Sequence, residues 1–336
     1  AHQVVGEFVE FLSGGNLIIM LILVAVMSLI LGMGLPTTAN YIVVSSLMAP
    51  VILTLGAKSG LIVPLIAVHL FVFYFGILAD DTPPVGLAAF AAAAISGGDP
   101  IKTGIQGFAY DIRTALLPFL FIFNTELLLI DVSVGKAFFV FGVAVVAMML
   151  FASATQGFLF VKNRIWESIL LLLVAFTLFR PGFFLDMVSP PFDESSPDKV
   201  FEVVGTVPEG GRLLMDISGA DFDTGEITTT TILVEFGAAQ EDAMERLKQA
   251  GLSVSIDGER ALVEEPFPGT PFFEGIGKAF DYYGDDPVQI AVVKKEADRI
   301  FKEVFYIPAI LLLAFIMFSQ KYRQRKAGGR PAETPA

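Results

Sequence analysis

The stretch Gly32-Met33-Gly34-Leu35-Pro36-Thr37-Thr38-Ala39-Asn40-Tyr41 sits in the middle of a run, Phe11–Ala57, that contains no charged residue. A helix needs ~20 apolar residues to cross a hydrocarbon core of ~30 Å. The run holds two apolar arms, Asn16–Gly32 and Asn40–Leu55, on either side of this break. In lipid every backbone N–H and C=O must find a partner, so irregular backbone at depth persists only where it lines a polar cavity or site. Gly32, Gly34 and Pro36 free several backbone groups here, and Thr37, Thr38 and Asn40 set hydroxyl and amide oxygens beside them. The competing reading is an extramembrane loop between two complete spans. Its lack of charge and of surface-loop composition argues for a buried hairpin tip instead.

A second interruption follows. The apolar run Ser59–Ala79 ends at Asp80-Asp81-Thr82-Pro83-Pro84-Val85-Gly86, after which a small-residue helix is predicted over Val85–Ile95. Proline at the start of that helix suits its missing N–H and fixed φ. Half-helix N-termini offer free N–H groups and a positive dipole end to an anion. Exposed carbonyls and threonine hydroxyls offer hard oxygen ligands to a small cation. Two broken apolar segments in one chain form the pattern expected of a secondary-transporter site near the bilayer midplane.

The rest of the chain fits this setting. Thr114–Ile130, Ala137–Ala154, Ser168–Phe179 and Val304–Gln320 are further apolar segments, so a polytopic α-helical membrane protein is expected. Of the 336 residues, 54% are hydrophobic and only 17% charged, with no Cys, and the mean hydropathy is +0.69. Those values exclude an ordinary soluble enzyme, a disordered chain and a disulfide-stapled secreted domain. The formal net charge of −13 is unevenly placed: residues 186–303 hold 25 acidic and 10 basic side chains, and the other 218 residues hold 10 acidic and 12 basic. Composition shifts at the linker Pro190-Pro191, and 186–303 reads as a small α+β domain with a scattered acidic surface. Strands are expected at Val200–Val204, Arg212–Ile217, Ile227–Phe236, Leu252–Ile256, Arg260–Val263 and Val288–Val293, with a helix at Gln240–Ala250.

Lys102, Arg113, Lys162, Arg164 and the tail Lys321–Lys326 place their loops on the cytoplasmic side, which puts 186–303 outside; Lys136 and Arg180 run against the rule. The basic tail reads first as a topology stop and second as a site for anionic lipid. The beginning, Ala1-His2-Gln3, reads as an interior point of a longer chain.

The two interruptions, Gly32–Tyr41 and Ala79-Asp80-Asp81-Thr82-Pro83-Pro84-Val85-Gly86-Leu87-Ala88, resemble the large membrane subunit of tripartite ATP-independent periplasmic (TRAP) transporters. The closest likeness is to TAXI-type permeases, whose small and large membrane subunits are fused, and it covers about residues 16–130. The resemblance implies an elevator-type carrier repeat. On that reading residues 1–130 form the second inverted repeat, with a re-entrant hairpin at 16–56, a broken helix at 59–97 and a closing helix at 114–130. Residues 131–185 then supply two more membrane helices, 186–303 a periplasmic α+β domain, and 304–336 a last helix with a cytoplasmic tail. It further implies uptake of organic acids across the bacterial inner membrane, driven by Na⁺ or alternatively H⁺. A soluble periplasmic binding protein delivers the substrate, and the remaining permease segments and membrane lipid are the other partners. The implied substrate and ion site gathers Gly32, Gly34, Pro36, Thr37, Thr38, Asn40, Asp80, Asp81, Thr82, Pro83, Pro84 and Gly86, with Na⁺ near Thr37, Thr38 and Thr82. The sequence departs from the family in carrying Asp80-Asp81 where many members have an apolar residue or Gly.

Other ionisable residues have two readings each. Asp80 and Asp81 bind a coupling cation, or they form a solvated capping pair at the second helix. His69, with only His2 besides, is expected to be a satisfied packing residue rather than a metal ligand. Glu126 lines the core or faces protein at its helix end. Asp111 and Arg113 fall on a short amphipathic cytoplasmic segment. An enzyme is not expected: adjacent aspartates do not make a facing catalytic pair, no Ser–His pairing is available, and neither a nucleotide loop nor a nucleic-acid patch occurs. The surviving alternative to a carrier is a membrane-anchored binding or assembly module built around 186–303.

Overall fold

The computed structural model describes residues 2–328 except 60, 81, 84 and 239–241, with the side chains of 2, 3, 113, 327 and 328 also left aside. Among the described residues nine α-helices come first: α1 His2–Ser13, α2 Leu17–Gly32, α3 Thr37–Lys58, α4 Leu65–Leu78, α5 Leu87–Ser96, α6 Pro100–Phe123, α7 Val134–Gln156, α8 Ile165–Phe179 and α9 Gly182–Val188. An α+β segment follows, with β1 Phe192–Ser195, α10 Val200–Gly205, β2 Arg212–Ala220, β3 Ile227–Glu235, α11 Ala243–Gln249, β4 Val254–Asp257, β5 Arg260–Val263 and β6 Gln289–Glu296. The last helix is α12, Tyr306–Gly328. Two compact units form. One gathers Ala1–Val24, Ser46–Leu65 and Pro190–Asp298; the other gathers Ala25–Ser45, Ile66–Ser189 and Arg299–Ala336.

Among the described residues three helices are long and apolar enough to cross a membrane: Thr37–Lys58, Val134–Gln156 and Lys302–Lys326. The pair α8 and α9, bent by 83° at Arg180–Pro181, makes a fourth if taken as one span, and α2, α4 and α5 are shorter apolar helices. Local chemistry sets their ends. The Asn16 side chain accepts hydrogen bonds from the N–H groups of Ile18 and Ile19 at 3.0 and 3.1 Å, capping α2. Asp99 accepts from Lys102 N at 2.8 Å, and Pro100 takes the first helical position of α6, where no N–H is required.

Four sequence readings are corrected. The closing helix runs over Pro100–Phe123 rather than 114–130, because the Asp99-Pro100 start signal opens it early. Asn124 ends it, donating from its amide to Phe179 O at 2.6 Å; a 3₁₀ turn, Thr125–Leu128, follows. Asp111 therefore lies inside a long helix, not on a separate segment. The small-residue helix starts at Leu87 with Gly86 at its N-cap, so Pro83 precedes the first helical turn instead of opening it. Val200–Val204 is helical, not a strand: Val200 and Val204, both buried, are one turn apart and face the core of the α+β segment. Tertiary burial overrides the strand preference of β-branched residues.

In the α+β segment all pairings are antiparallel, in the order β3-β2-β6-β5-β4, with β1 also on β6. Leu213, Met215, Ile217, Val234, Leu247, Phe280, Ile290 and Val293 fill its core. Gly258, at φ 63°, makes the turn between β4 and β5. Arg246 on α11 is only 3% exposed and has no carboxylate partner among the described residues. Its guanidinium instead donates to the carbonyls of Val204 (2.9 Å), Val207 (2.7 Å) and Pro208 (2.9 Å) and stacks on Phe236. These carbonyls lie at the end of α10, where the helix dipole is negative.

Lys136 and Arg180, the two basic residues against the expected orientation, are both engaged. Arg180 lies 4.3 Å over the Phe123 ring. Lys136 pairs with Glu126 at 2.6 Å, and Lys302 reaches the same carboxylate at 2.7 Å. Glu126 thus joins the 3₁₀ turn after α6, the first turn of α7 and the approach to α12. Burial by itself would raise the Glu126 pKa, but the hydrogen bonds and charges of Lys136 and Lys302 outweigh it and hold it below the ordinary 4.5.

Two outcomes follow. Arg246→Ala removes the donor from the carbonyls of Val204, Val207 and Pro208, the first two of them in buried bonds, and about 3 kcal/mol of local stability is expected to be lost; hydrogen exchange of the complete protein reads this as lost protection over residues 200–208. For Glu126, a depressed carboxylate contributes stability above the unfolded pKa and loses it as pH falls through the folded one. The difference in melting temperature between wild type and Glu126→Gln is therefore expected to be full at neutral pH and to shrink on acidification below 4.5.

Candidate functional site

The tip between α2 and α3 is tied to α4 by one buried hydrogen bond. Asn40, 1% exposed, donates from Nδ2 to the carbonyl of Gly76 at 2.7 Å. The two backbones come close because neither Gly32 nor Gly76 has a side chain. A Cβ on Gly32 would stand 2.6 Å from Asn40 Nδ2, 2.9 Å from the Ala79 Cβ and 2.9 Å from Gly76 O. A Cβ on Gly76 would meet Asn40 Nδ2 at 3.0 Å. Asn40 Oδ1 is buried with no partner among the described residues. At the tip, Gly34 adopts φ 81°, and Leu35 N donates to Gly32 O, turning the chain into α3.

The α4–α5 break has its own satisfaction. Thr82 Oγ1 donates to Leu78 O at 2.6 Å, covering a carbonyl at the C-terminus of α4. The backbone of Ala88 donates across the break to Asp80 O at 3.4 Å. Pro83 packs on α6, where a Cβ on Gly104 would stand 3.1 Å from the proline ring. On its buried face α4 is locked to α6 by Phe71 and Phe75, whose rings meet Phe119 at 5.2 and 5.7 Å.

Tip and break share a cavity of about 370 Å³, lined by Gly34, Leu35 and Pro36 from one and Asp80, Leu87 and Ala88 from the other. Of the residues singled out in the sequence, Gly34, Pro36 and Asp80 line this space. Gly32 and Asn40 sit behind it, as the clasp on α4. Thr37 and Thr38 are exposed on the first turn of α3. Thr82, Pro83 and Gly86 belong to the break but not to the cavity lining, and Asp81 and Pro84 lie outside the described residues. His69 accepts or donates at Nδ1 with the Tyr41 hydroxyl at 3.0 Å, a second link between α3 and α4 and a satisfied packing role. Sequence reasoning missed Gly76, Leu35, Leu87 and Gly104. Gly76 was detectable as the lone glycine in the bulky run Leu65–Leu78; the others carried no polar or conformational signal.

Helices of this length and apolarity define a polytopic helical membrane protein. Residues 1–136 match the family described as tripartite ATP-independent periplasmic transporter, DctM component, and residues 137–326 match the family described as domain of unknown function (DUF3394). The second match spans more than half of the chain, which therefore belongs to the DUF3394 family; the first segment is similar to the large membrane component of TRAP transporters. No curated protein and no solved structure matches it.

The glycine clasp is directly testable. Gly32→Ala is expected to destabilise the complete permease by about 2 kcal/mol, since overpacking here displaces a buried hydrogen bond. Gly142→Ala on α7, with nothing within 4 Å of the added methyl, is expected to be neutral or slightly stabilising. Thermal unfolding followed through Trp166 compares the two.

Proposed function

We propose that this TRAP permease component is the second half of the transport core of a fused, TAXI-type carrier in the bacterial inner membrane. It takes organic acids from a soluble periplasmic binding protein and moves them with Na⁺, H⁺ being the other candidate. In this reading α2–α3 is the re-entrant hairpin, α4–α5 the broken helix and α6 the closing helix of an elevator-type repeat. The remaining permease segments complete it. Residues 186–303 face the periplasm and the tail after α12 faces the cytoplasm.

The observation that carries this reading is the shared cavity, with Gly34, Leu35 and Pro36 on one side and Asp80, Leu87 and Ala88 on the other. Its charge supports cation coupling. An organic anion entering a confined space beside Asp80 meets repulsion that is severe at low dielectric. A small cation bound between them turns that repulsion into attraction, so anion and cation favour each other's binding. Thr37, Thr38 and Thr82 are the nearby hydroxyl ligands for such an ion. Thr82 donates its proton to Leu78 O, which leaves its lone pairs available as an acceptor. The alternative, an assembly module without transport, has no observation of this kind behind it.

The test is uptake by the complete permease in proteoliposomes with its binding protein. Leu87 is 56% exposed on the cavity wall, so Leu87→Trp fills the space without disturbing a core. Uptake is expected to fall to background in Leu87→Trp and to lose its dependence on the cation gradient in Asp80→Asn. Wild-type uptake and coupling in both variants would reject the reading.

A further inference from the structure

At the end of α12 the chain builds a basic surface that transport chemistry does not use. Two segments about 160 residues apart in sequence converge there. Gln320, fully buried, accepts at Oε1 from Phe160 N at 3.1 Å and donates from Nε2 to Asn163 Oδ1 at 2.9 Å and to Glu167 at 3.2 Å. Glu167, 0% exposed at the start of α8, is clasped through both carboxylate oxygens by Arg323. Arg323 also donates to the carbonyl of Lys162 at 3.4 Å, and Lys321 lies 5.3 Å over the Phe160 ring.

This buried core fixes six basic side chains at one end of α8 and α12: Lys162, Arg164, Lys321, Arg323, Arg325 and Lys326. Within 157–168 and 318–328 the sequence contains one carboxylate, Glu167, and Arg323 already neutralises it. Lys162, Arg164, Lys321, Arg325 and Lys326 are all exposed. Like charges are thus held together with nothing in their own segments to compensate them. A stop-transfer signal alone requires only that basic residues follow the apolar run; it needs neither the Glu167 clasp nor the convergence of a second basic loop.

The neighbouring surface identifies the occupant. Directly beside the basic groups stand large apolar side chains turned outward: Ile165 at 84%, Phe318 at 73% and Phe315 at 57% exposure, with Trp166 against Phe315 at 6.3 Å between ring centroids. A cationic rim bordering an exposed apolar wall, with Trp and Tyr322 at the boundary, matches the headgroup level of a membrane. We propose that the α7–α8 loop and the end of α12 form a binding site for the headgroup of an anionic phospholipid. The phosphate sits among Lys162, Lys321 and Arg325, and the acyl chains lie along Phe318 and Ile165. Arg323 and Glu167 are positioning residues: they hold the α12 end against the loop.

Native mass spectrometry of the complete permease in detergent, with phosphatidylglycerol or phosphatidylcholine added, tests the site. Retention of phosphatidylglycerol is expected to exceed that of phosphatidylcholine. It should weaken by about fivefold for each of Lys321→Gln and Arg325→Gln, and Arg325→Lys should keep it. Inorganic phosphate at equal concentration is expected not to displace the lipid. Equal retention of the two lipids by wild type overturns the proposal, as does full displacement by inorganic phosphate or unchanged binding in both glutamine variants. Because wild type alone decides the first comparison, poor insertion of a variant does not shield the proposal.

Discussion

The hydrogen bond from Asn40 to the Gly76 carbonyl is the interaction on which the transport half depends. An amide buried to this depth costs several kcal/mol without a partner, roughly 2–7 depending on the reference state. The bond at 2.7 Å removes that cost only because Gly32 and Gly76 let α2, α3 and α4 come within backbone contact. Once that clasp is closed, the tip from Gly34 to Pro36 has a fixed height relative to α4, and therefore relative to the break that begins at Asp80. The 370 Å³ cavity is the space left between these two fixed points. The aromatic lock of Phe71 and Phe75 on Phe119 holds the other side of α4, so the break is seated on α6 while the tip hangs from the clasp.

Elsewhere the protein handles buried charge in two different ways. Among the described residues Arg246 has no carboxylate partner; it is solvated by three carbonyls at a helix end, an arrangement in which partial charges replace a counter-ion. Glu167 and Arg323 form a true pair, supported by Gln320 and closed at the end of the α8–α12 bundle. A pair of this kind contributes little net stability against a hydrophobic replacement. Its geometric effect is large, because α12 can dock on α8 in one register only when Arg323 reaches Glu167. Both devices therefore act on position more than on affinity, and each sits where the chain must hold a loop without regular secondary structure.

Much of this was legible in the amino-acid pattern, and the failures have physical causes. The break at Gly32–Pro36 and its counterpart at Asp80–Gly86 announced themselves, since glycine, proline and threonine inside uncharged runs conflict with an uninterrupted helix. The strand run Ile227–Glu235 and the Gly258 turn followed from β-branched residues and turn chemistry. The early start of α6 was signalled by Asp99-Pro100 but masked by Lys102, Asp111 and Arg113, charges that made the segment read as a loop. Val200–Val204 misled because a stretch with three valines in five residues prefers a strand until burial and a distant arginine at its end hold it as a helix. Gly76 stood out as a lone glycine, but its role and that of Gly104 were hidden for a deeper reason: their importance lies in what approaches them, and approach is a property of the fold.

That last point bears on how the two walls of the cavity are held. Among the described residues Asn40 Oδ1 is buried without a partner while its Nδ2 is engaged, so the clasp is satisfied on one side only. A half-satisfied polar group at the root of a tip is held less firmly than one bonded through both atoms. The α4 side, by contrast, is fastened by rings and by the Pro83 contact on Gly104, interactions that lose their strength only if the helices separate. The two walls of the cavity are thus held by different means, the tip by a single amide hydrogen bond and the break by ring packing. At the break itself, the hydrogen bonds at Thr82 and Asp80 satisfy backbone groups that a lipid environment would otherwise leave unpaired, so ring packing and hydrogen bonding hold the same segment.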